Sequence, residues 1–218
     1  IGGLIVDGGN FDWGKAGADR QPAMNTPDPC YGGVVWEEQV TKNMGLPFAY
    51  LLKLRTTLLR DLGGAMSPFN AWMFIQGLET LPLRMKEHAK NAQIVAEALA
   101  SNKKVASVTY PSLFEGAEKE KADKYMTNGY GALIGFELPG GKEAGSKFID
   151  SLELLYHVAN IGDSRSLAIH PATTTHSQLS PEEQLSAGVT PGYVRLSIGI
   201  ENVEDIIADI SQAIDKAS

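Results

Sequence analysis

One arginine in the carboxy-terminal part of the sequence lies in the middle of a predicted strand, at a position from which it could bind a ligand. In the segment YVRLSIGI, residues 193–200, the even positions are apolar and the odd positions are Tyr193, Arg195, Ser197 and Gly199. Alternate residues of a strand share a face, so Arg195 is expected to project beside small residues. Its guanidinium is a rigid fork that matches a carboxylate. From the spacing alone, a carboxylate-binding arginine and an arginine on the wet face of a strand are equally good interpretations.

A second group of polar residues could line a pocket. The segment NIGDSRSLAIHPATTTH, residues 160–176, is rich in hydroxyl, amide and imidazole groups and has few residues suited to a core. Its two histidines, His170 and His176, are six residues apart. This spacing fits neither a pair on one helix face nor a familiar metal motif, so no metal site is predicted. A pocket-lining loop and a solvated connector both remain open.

Other residues with reactive chemistry lack activating surroundings. Cys30, the single cysteine, has no neighbouring base or zinc-ligand spacing, so it is interpreted as a passive thiol. Gly140 and Gly141 precede a helix and could cradle an anion, but a plain turn is the simpler interpretation. Lys42 and the lysines of EKEKADK, residues 118–124, are interpreted as solvated, whereas a Schiff-base lysine needs a desolvated site.

The elements that position these residues are predicted from periodicity, capping residues and turn signals. Helices are predicted at 46–62, from Ser67-Pro68 through FNAWMFIQGLETL, and at 82–100, 142–153, 181–187 and 202–216, and strands at 1–10, KVASVTY, GALIGFEL and YVRLSIGI. A long loop is predicted at 11–36. Ser180 and Glu183 predict a capping box. Strands and helices that do not strictly alternate predict an α+β domain from about residue 102 to the end.

The composition is that of an ordinary globular protein and excludes several classes. Of the 218 residues, 43% are hydrophobic and 21% are charged, and the formal net charge is −7. An acidic surface repels phosphate backbones, so nucleic acid is not expected as a partner. No apolar run is long enough to cross a bilayer, and no signal peptide is visible. The single cysteine fits a reducing, cytoplasmic setting.

Four segments, in order along the chain, resemble the cysteine/methionine-metabolism family of pyridoxal-phosphate enzymes. They are IGGLIVDGGNFDW, GLETLPLRMKEHAKNAQIVAEAL, NIGDSRSLAIHPATTTHSQLS and VRLSIGIENVEDIIADI. The resemblance runs through essentially all 218 residues. It implies the α/β, type I (aspartate aminotransferase-like) fold of PLP-dependent transferases. In that fold a large cofactor domain with a mostly parallel seven-stranded sheet is followed by a small α+β domain.

The resemblance also implies where the cofactor chemistry lies. Residues 1–80 correspond to the end of the PLP-binding large domain, 81–101 to a connecting helix, and 102–218 to the small domain. The family lysine lies in a Ser-x-x-Thr-Lys motif that precedes a Gly-Gly-His-Gly turn and the IGG strand. The Schiff-base lysine is therefore expected upstream of Ile1, together with the phosphate-binding glycines, the ring-stacking tyrosine and the aspartate that faces the pyridine nitrogen. No catalytic or cofactor-binding residue is expected within this chain.

The substrate end of the site is what the resemblance assigns to this chain. Arg195 corresponds to the arginine that binds the α-carboxylate, Asn160 to its usual companion, and Thr175 to a threonine that helps to orient the arginine. The implied reaction is γ-replacement, in which sulfide or a thiol displaces acetate from O-acetylhomoserine in methionine biosynthesis. The implied partners are the amino-terminal half of the same enzyme and further copies, in a homotetramer.

Two alternatives stay open at this stage. One is a sister activity of the same family, such as methionine γ-lyase or a cystathionine γ-synthase or lyase. The other is a non-catalytic carboxy-terminal module that binds a partner or an amino acid.

Overall fold

The computed structural model describes residues 2–218 and divides into two units. The first unit ends at Gly77 and the second is Leu78–Ser218. Unit 1 contains α1 (Trp13–Arg20), α2 (Pro22–Asn25), α3 (Ala49–Lys53), α4 (Arg60–Leu62) and most of α5 (Pro68–Glu79), with π-helical turns at Glu37–Asn43 and Leu54–Leu59. Unit 2 contains α6 (Leu81–Ser101), α7 (Gly116–Tyr125), α8 (Gly141–Asp150), α9 (Pro181–Ser186) and α10 (Val203–Ala217).

Unit 2 is built on a five-stranded sheet. The strands are β1 (Ser107–Thr109), β2 (Leu133–Glu137), β3 (Tyr156–His157), β4 (Leu167–Ile169) and β5 (Tyr193–Ser197). Their order is β1-β2-β5-β4-β3, and every pair is antiparallel except β3 with β4. The strand that carries Arg195 is therefore the central strand, with a neighbour on both sides.

The core of unit 2 lies on one face of this sheet. Val194, Leu196 and Ile198 are fully buried, as their alternation with the odd positions predicts. They pack with apolar residues of α6, α8 and α10, whose buried members recur at helical spacing. Ile200, predicted on the same apolar face, is exposed because the strand ends at Ser197.

A buried carboxylate fixes the chain that enters β3. Asp209 on α10 accepts hydrogen bonds from the backbone N–H groups of Glu153, Leu154 and Leu155, at 2.9, 2.9 and 3.0 Å. Burial raises the pKa of Asp209, but these bonds outweigh it and hold the pKa below its usual value. These hydrogen bonds from the backbone amides to Asp209 thus fix the position at which the chain enters β3.

The core of unit 1 is small and is organised around Asp28. Met24, Trp36, Val40 and Ala49 form its apolar cluster. The buried carboxylate of Asp28 accepts hydrogen bonds from Trp36 Nε1 at 2.8 Å and from the Cys30 N–H at 2.9 Å, and it forms an ion pair with Lys53. Bonds from Lys53 and Trp36 lower the pKa of Asp28 to about 2. One side chain therefore joins three segments of unit 1.

The predicted strand at 1–10 is wrong over the residues that the structure describes. Residues 2–10 form no strand, and Leu4 and Val6 are 78% and 83% exposed. A strand needs a hydrogen-bonded neighbour, and the described part of unit 1 offers none, because its only bridge joins Asp28 to Val34. Ile1 lies outside the described residues.

The predicted long loop at 11–36 is also wrong in part. It contains α1, α2 and a 3₁₀ turn at Pro29–Tyr31. The Asp12 carboxylate accepts the Lys15 N–H at 2.8 Å and caps α1, and Asp28 caps the 3₁₀ turn in the same way. Two of the polar residues that suggested a loop, Asp12 and Asp28, are therefore helix caps.

Most other predicted elements are confirmed. The helix predicted at 46–62 is present from Ala49 to Leu62 with a π-helical middle, and it ends at Gly63, whose φ is +70°. The capping box of Ser180 and Glu183 is present in full. In unit 2, the helix and strands that were not predicted are α7, whose sequence has a weak apolar face, and the short strands β3 and β4. Among residues 2–218 no helix is both long and apolar enough to cross a membrane.

Replacing Asp28 by Asn should destabilise unit 1. The change leaves Lys53 without its buried partner, and we expect a loss of about 2–4 kcal/mol in the free energy of unfolding. Urea unfolding followed by tryptophan fluorescence measures this, because Trp13, Trp36 and Trp72 all lie in unit 1. Asp61→Asn, which removes an exposed pair with Arg60, is the matched control and should cost less than about 1 kcal/mol.

The same carboxylate predicts a pH dependence of stability. The folded pKa of Asp28, about 2, lies below the ordinary value of 3.8. Its contribution is therefore complete above pH 3.8 and is lost as the pH falls toward about 2. The difference in unfolding free energy between wild type and Asp28→Asn should shrink over this interval. An equal difference at neutral and acidic pH would contradict the assignment.

Candidate functional site

Arg195 projects from the middle of the central strand with unused hydrogen-bonding capacity. Its main chain pairs with Gly135 of β2 and Ile169 of β4. The side chain is half-buried, and Nη2 donates to the backbone carbonyl of Asn160 at 3.3 Å. Nε is buried and makes no hydrogen bond within residues 2–218. An unpaired guanidinium N–H in the interior is costly, so this group is suited to an anionic ligand.

Gly135, the cross-strand partner of Arg195, leaves room for the ring of Tyr193, and sequence reasoning did not single it out. A Cβ built at Gly135 would lie 2.6–2.7 Å from ring carbons of Tyr193, so the phenol ring lies across this backbone. Burial raises the pKa of Tyr193, and the charge of Arg195 partly opposes this rise. Tyr193 and Arg195 are therefore close enough to interact electrostatically. The glycine in GALIGFEL, which interrupts an otherwise apolar strand, was the available signal.

Asn160 lies beside Arg195, as predicted, but its amide group is turned elsewhere. The contact between the two residues uses the Asn160 carbonyl of the main chain. The side-chain Oδ1 accepts the N–H of Ile161 at 2.9 Å, and the residue is exposed. The structure thus brings the predicted pair together through a backbone atom. A side-chain contact of Asn160 with a ligand stays a prediction.

Thr175 is exposed and does not contact Arg195 in the described structure. Its hydroxyl lies 2.9 Å from Nδ1 of His176. Its carbonyl accepts a bond from Gln178 at 3.3 Å. The expectation that Thr175 helps to orient the arginine therefore stays a prediction with no direct contact to support it.

Much of the segment 160–176 is buried, although its composition is polar. Residues 166–172 are all buried, because β4 lies inside the sheet between β5 and β3. His170 is fully buried, with Nε2 at 2.7 Å from the Pro191 carbonyl and Nδ1 at 2.9 Å from the Thr173 hydroxyl. Burial lowers its pKa, which favours the neutral ring. His170 is a structural residue, and the beginning of the segment, near Asn160, is exposed.

The lysines of the chain do not fit the role of a Schiff-base lysine. Most are exposed, including Lys42. Lys53 and Lys119 are half-buried, and each is paired with an aspartate, Asp28 and Asp123 respectively. A Schiff-base lysine must be neutral when it reacts, whereas the hydrogen bond with Asp123 raises the pKa of Lys119 and favours its charged form. None of the lysines among the described residues therefore has the unpaired, desolvated setting that a Schiff-base lysine needs.

The remaining candidates give no site. Cys30 is exposed and unpaired, and no group of three or more potential metal ligands occurs in the part of the chain that the structure describes. Gly141 begins α8 with φ of +65°, which a plain turn accounts for.

Comparison with known proteins places this geometry in a family. The family model for Cys/Met metabolism PLP-dependent enzymes matches residues 1–215. An O-acetyl-L-homoserine sulfhydrylase of Leptospira meyeri is 51% identical over an alignment of 218 positions, which covers 98% of this chain and 49% of that protein. A homocysteine synthase of Schizosaccharomyces pombe is 45% identical over 100% of this chain and 49% of its own length.

A solved structure shows the same fold at similar identity. A crystal structure from Campylobacter jejuni, assigned as an O-acetylhomoserine (thiol)-lyase with a pyridoxyl-lysine monophosphate residue, has a TM-score of 0.78 and 44% sequence identity. The match covers 90% of this chain and 45% of that one. The chain thus spans about half the length of the curated relatives it matches. It has the fold of these relatives over that half, and it belongs to the family of Cys/Met metabolism PLP-dependent enzymes.

Proposed function

We propose that this chain is the carboxy-terminal, substrate-binding part of an O-acetylhomoserine sulfhydrylase. The whole enzyme would make homocysteine, or methionine, from O-acetylhomoserine and sulfide or a thiol by PLP-dependent γ-replacement. The observation that carries the proposal is Arg195, a half-buried guanidinium with a buried and unpaired Nε on the central strand. The names of the relatives support the choice of reaction.

Within this proposal the residues of the chain bind and orient substrate. Arg195 would hold the α-carboxylate, with Asn160 beside it and Thr175 nearby, so that the Cα–H bond keeps one orientation. Fixing a reacting bond in this way lowers the barrier through orientation. Pyridoxal phosphate, when bound by the rest of the enzyme, would supply the electron sink for the reaction. No proton transfer is assigned to this chain.

The amino-terminal half of the same enzyme is the proposed partner. The relatives are about twice as long as the matched region, so a comparable length of chain would complete the fold. Helix α5 supports this, because most of its residues are apolar and none of them is buried in the structure. Trp72 is 55% exposed. Apolar side chains that are large and adjacent are normally covered by another part of a protein, and the described part of unit 1 leaves these exposed.

The compartment and the oligomeric state are proposals of the same kind. A single, unpaired cysteine supports a reducing, cytoplasmic setting. Large exposed apolar side chains on α5 support assembly into a larger oligomer, and a homotetramer is the proposed form.

Arg195→Ala, in the enzyme assembled with its amino-terminal half, should weaken substrate binding by about 2–5 kcal/mol, because the substrate carboxylate loses its cation. Arg195→Lys should recover only part of this, since an ammonium cannot form the fork. Steady-state assays with O-acetylhomoserine and sulfide give KM and kcat/KM. Arg20→Ala, which removes an exposed arginine of unit 1, is the control.

Values for Arg195→Ala that match the control would refute the carboxylate assignment. Turnover of cystathionine or methionine in place of O-acetylhomoserine by the wild-type enzyme would instead favour a sister activity of the family.

The 218-residue chain alone should not form a Schiff base with pyridoxal phosphate. Its lysines are exposed or paired with aspartates, so none has the desolvated setting that the bond requires. After incubation with the cofactor and reduction with borohydride, the intact mass should be unchanged. A stoichiometric mass increase at one lysine would overturn the proposal that the anchor lies in the other half, whereas low labelling spread over many lysines marks non-specific reaction.

A further inference from the structure

The loop that leads from Asn160 into β4 is attached at one end to β5 and at the other end to the segment that follows β5. At its start, the Asn160 carbonyl accepts the bond from Arg195 Nη2. At its end, Ser166 is fully buried and lies against the residues that follow β5. Between these points, Asp163 accepts the backbone N–H of Arg165 at 3.0 Å and forms an ion pair with its side chain. The loop is therefore a short, internally bonded connection between Arg195 on β5 and the residues that follow β5.

The second attachment depends on the carboxylate of Glu201. Its Oε1 accepts the Ser166 N–H at 2.6 Å, and its Oε2 accepts the Ser166 hydroxyl at 2.9 Å. The Ser166 Oγ in turn accepts the N–H of Gly199 at 2.8 Å. Both carboxylate oxygens are thus engaged by one residue, and charge-assisted hydrogen bonds of this kind are stronger than neutral ones.

The backbone of the loop and the backbone of the segment after β5 approach very closely at Gly199 and Ile200. Ile200 donates its N–H to the Ser164 carbonyl at 2.9 Å. A Cβ at Gly199 would lie 2.5 Å from that carbonyl oxygen and 2.6 Å from the carbonyl carbon of Arg165. Only glycine permits this approach without displacing the loop backbone.

Helix α6 also forms hydrogen bonds with the segment that follows β5, residues 198–201. The Asn91 amide donates to the carbonyls of Gly199 and Glu201, at 3.2 and 2.9 Å. His88 Nδ1 lies 2.6 Å from the carbonyl of Ile198, which requires a proton on Nδ1. The chain from Ile198 to Glu201 is therefore held by α6 through hydrogen bonds that do not involve Ser166. It can thus serve as a support for the loop.

We propose that Glu201 and Ser166 are positioning residues for Arg195. By holding the end of the loop, they set the position of the Asn160 carbonyl, and that carbonyl fixes the guanidinium in the orientation that receives a substrate carboxylate. The last step rests on the proposed function of Arg195. Glu201 itself does not touch the substrate, and its effect reaches the site through the loop.

The coupling is testable in the chain without any ligand. The side-chain Nε–H of Arg195 gives an NMR signal in the ¹⁵N-labelled protein, assigned by its absence in Arg195→Lys. Glu201→Gln loses the charge and one acceptor, and Ser166→Ala loses the hydroxyl that joins Glu201 to Gly199. Glu204→Gln, at an exposed carboxylate in the first turn of α10, is the matched control.

Both variants should shift or broaden the Arg195 Nε–H signal, and the control should not. Hydrogen exchange of the amides of Ser166 and Gly199 should accelerate about tenfold or more, while core amides of β5 such as Val194 change less than about threefold, because the opening is local. An Arg195 signal unchanged in both variants would overturn the proposal. So would equal acceleration in the core, which would mark a general loss of stability.

The results of this experiment and of the test of the proposed function together show which of the two proposals fails. If the Arg195 signal responds but Arg195→Ala leaves KM unchanged in the assembled enzyme, the carboxylate role fails and the positioning of a substrate fails with it. If the signal does not respond but KM rises in Arg195→Ala, the carboxylate role stands and only the role of Glu201 and Ser166 is lost.

Discussion

The guanidinium of Arg195 keeps its Nε–H in the interior without an acceptor among residues 2–218, and this arrangement costs free energy until an acceptor arrives. The single bond from Nη2 to the Asn160 carbonyl, at 3.3 Å, offsets little of that cost. A fold can retain such a residue only if the surrounding structure holds it there. The strand pairing and the apolar core of unit 2 keep this guanidinium in one place.

The central position of β5 is the main restraint. Hydrogen bonds to β2 and β4 fix the strand on both sides, so a shift by one residue would move Arg195 to the core face and Val194 to the opposite face. Val194 and Leu196 are fully buried among residues of three helices, which makes that shift very unfavourable. The apolar core on one face of the strand therefore determines the position of the charge on the other.

The sequence predicts this strand well because its information is local. Alternation at 193–200 identifies the faces, and Ser180 with Glu183 identifies a helix start, since a capping box satisfies its own backbone groups. The contacts that orient the arginine are not local. Glu201 and Ser166 are 35 residues apart in the chain, as are Arg195 and Asn160. Only the pairing of β4 with β5 brings them together, and no spacing in the sequence reveals that.

The errors in unit 1 have the opposite cause. Leu4, Ile5 and Val6 are a good strand sequence, yet a strand is a property of at least two segments, and the described residues of unit 1 give this one no neighbour. Helix α5 presents the same situation, because its apolar residues satisfy the requirement of a buried helix and remain exposed. In unit 2, local pattern and surroundings agree. In unit 1 they conflict, and the conflict disappears if the proposed amino-terminal half supplies the strands and side chains that these segments need. The free energy that unit 1 does not gain internally would then be gained on assembly, which would couple formation of the cofactor-binding half to the order of this one.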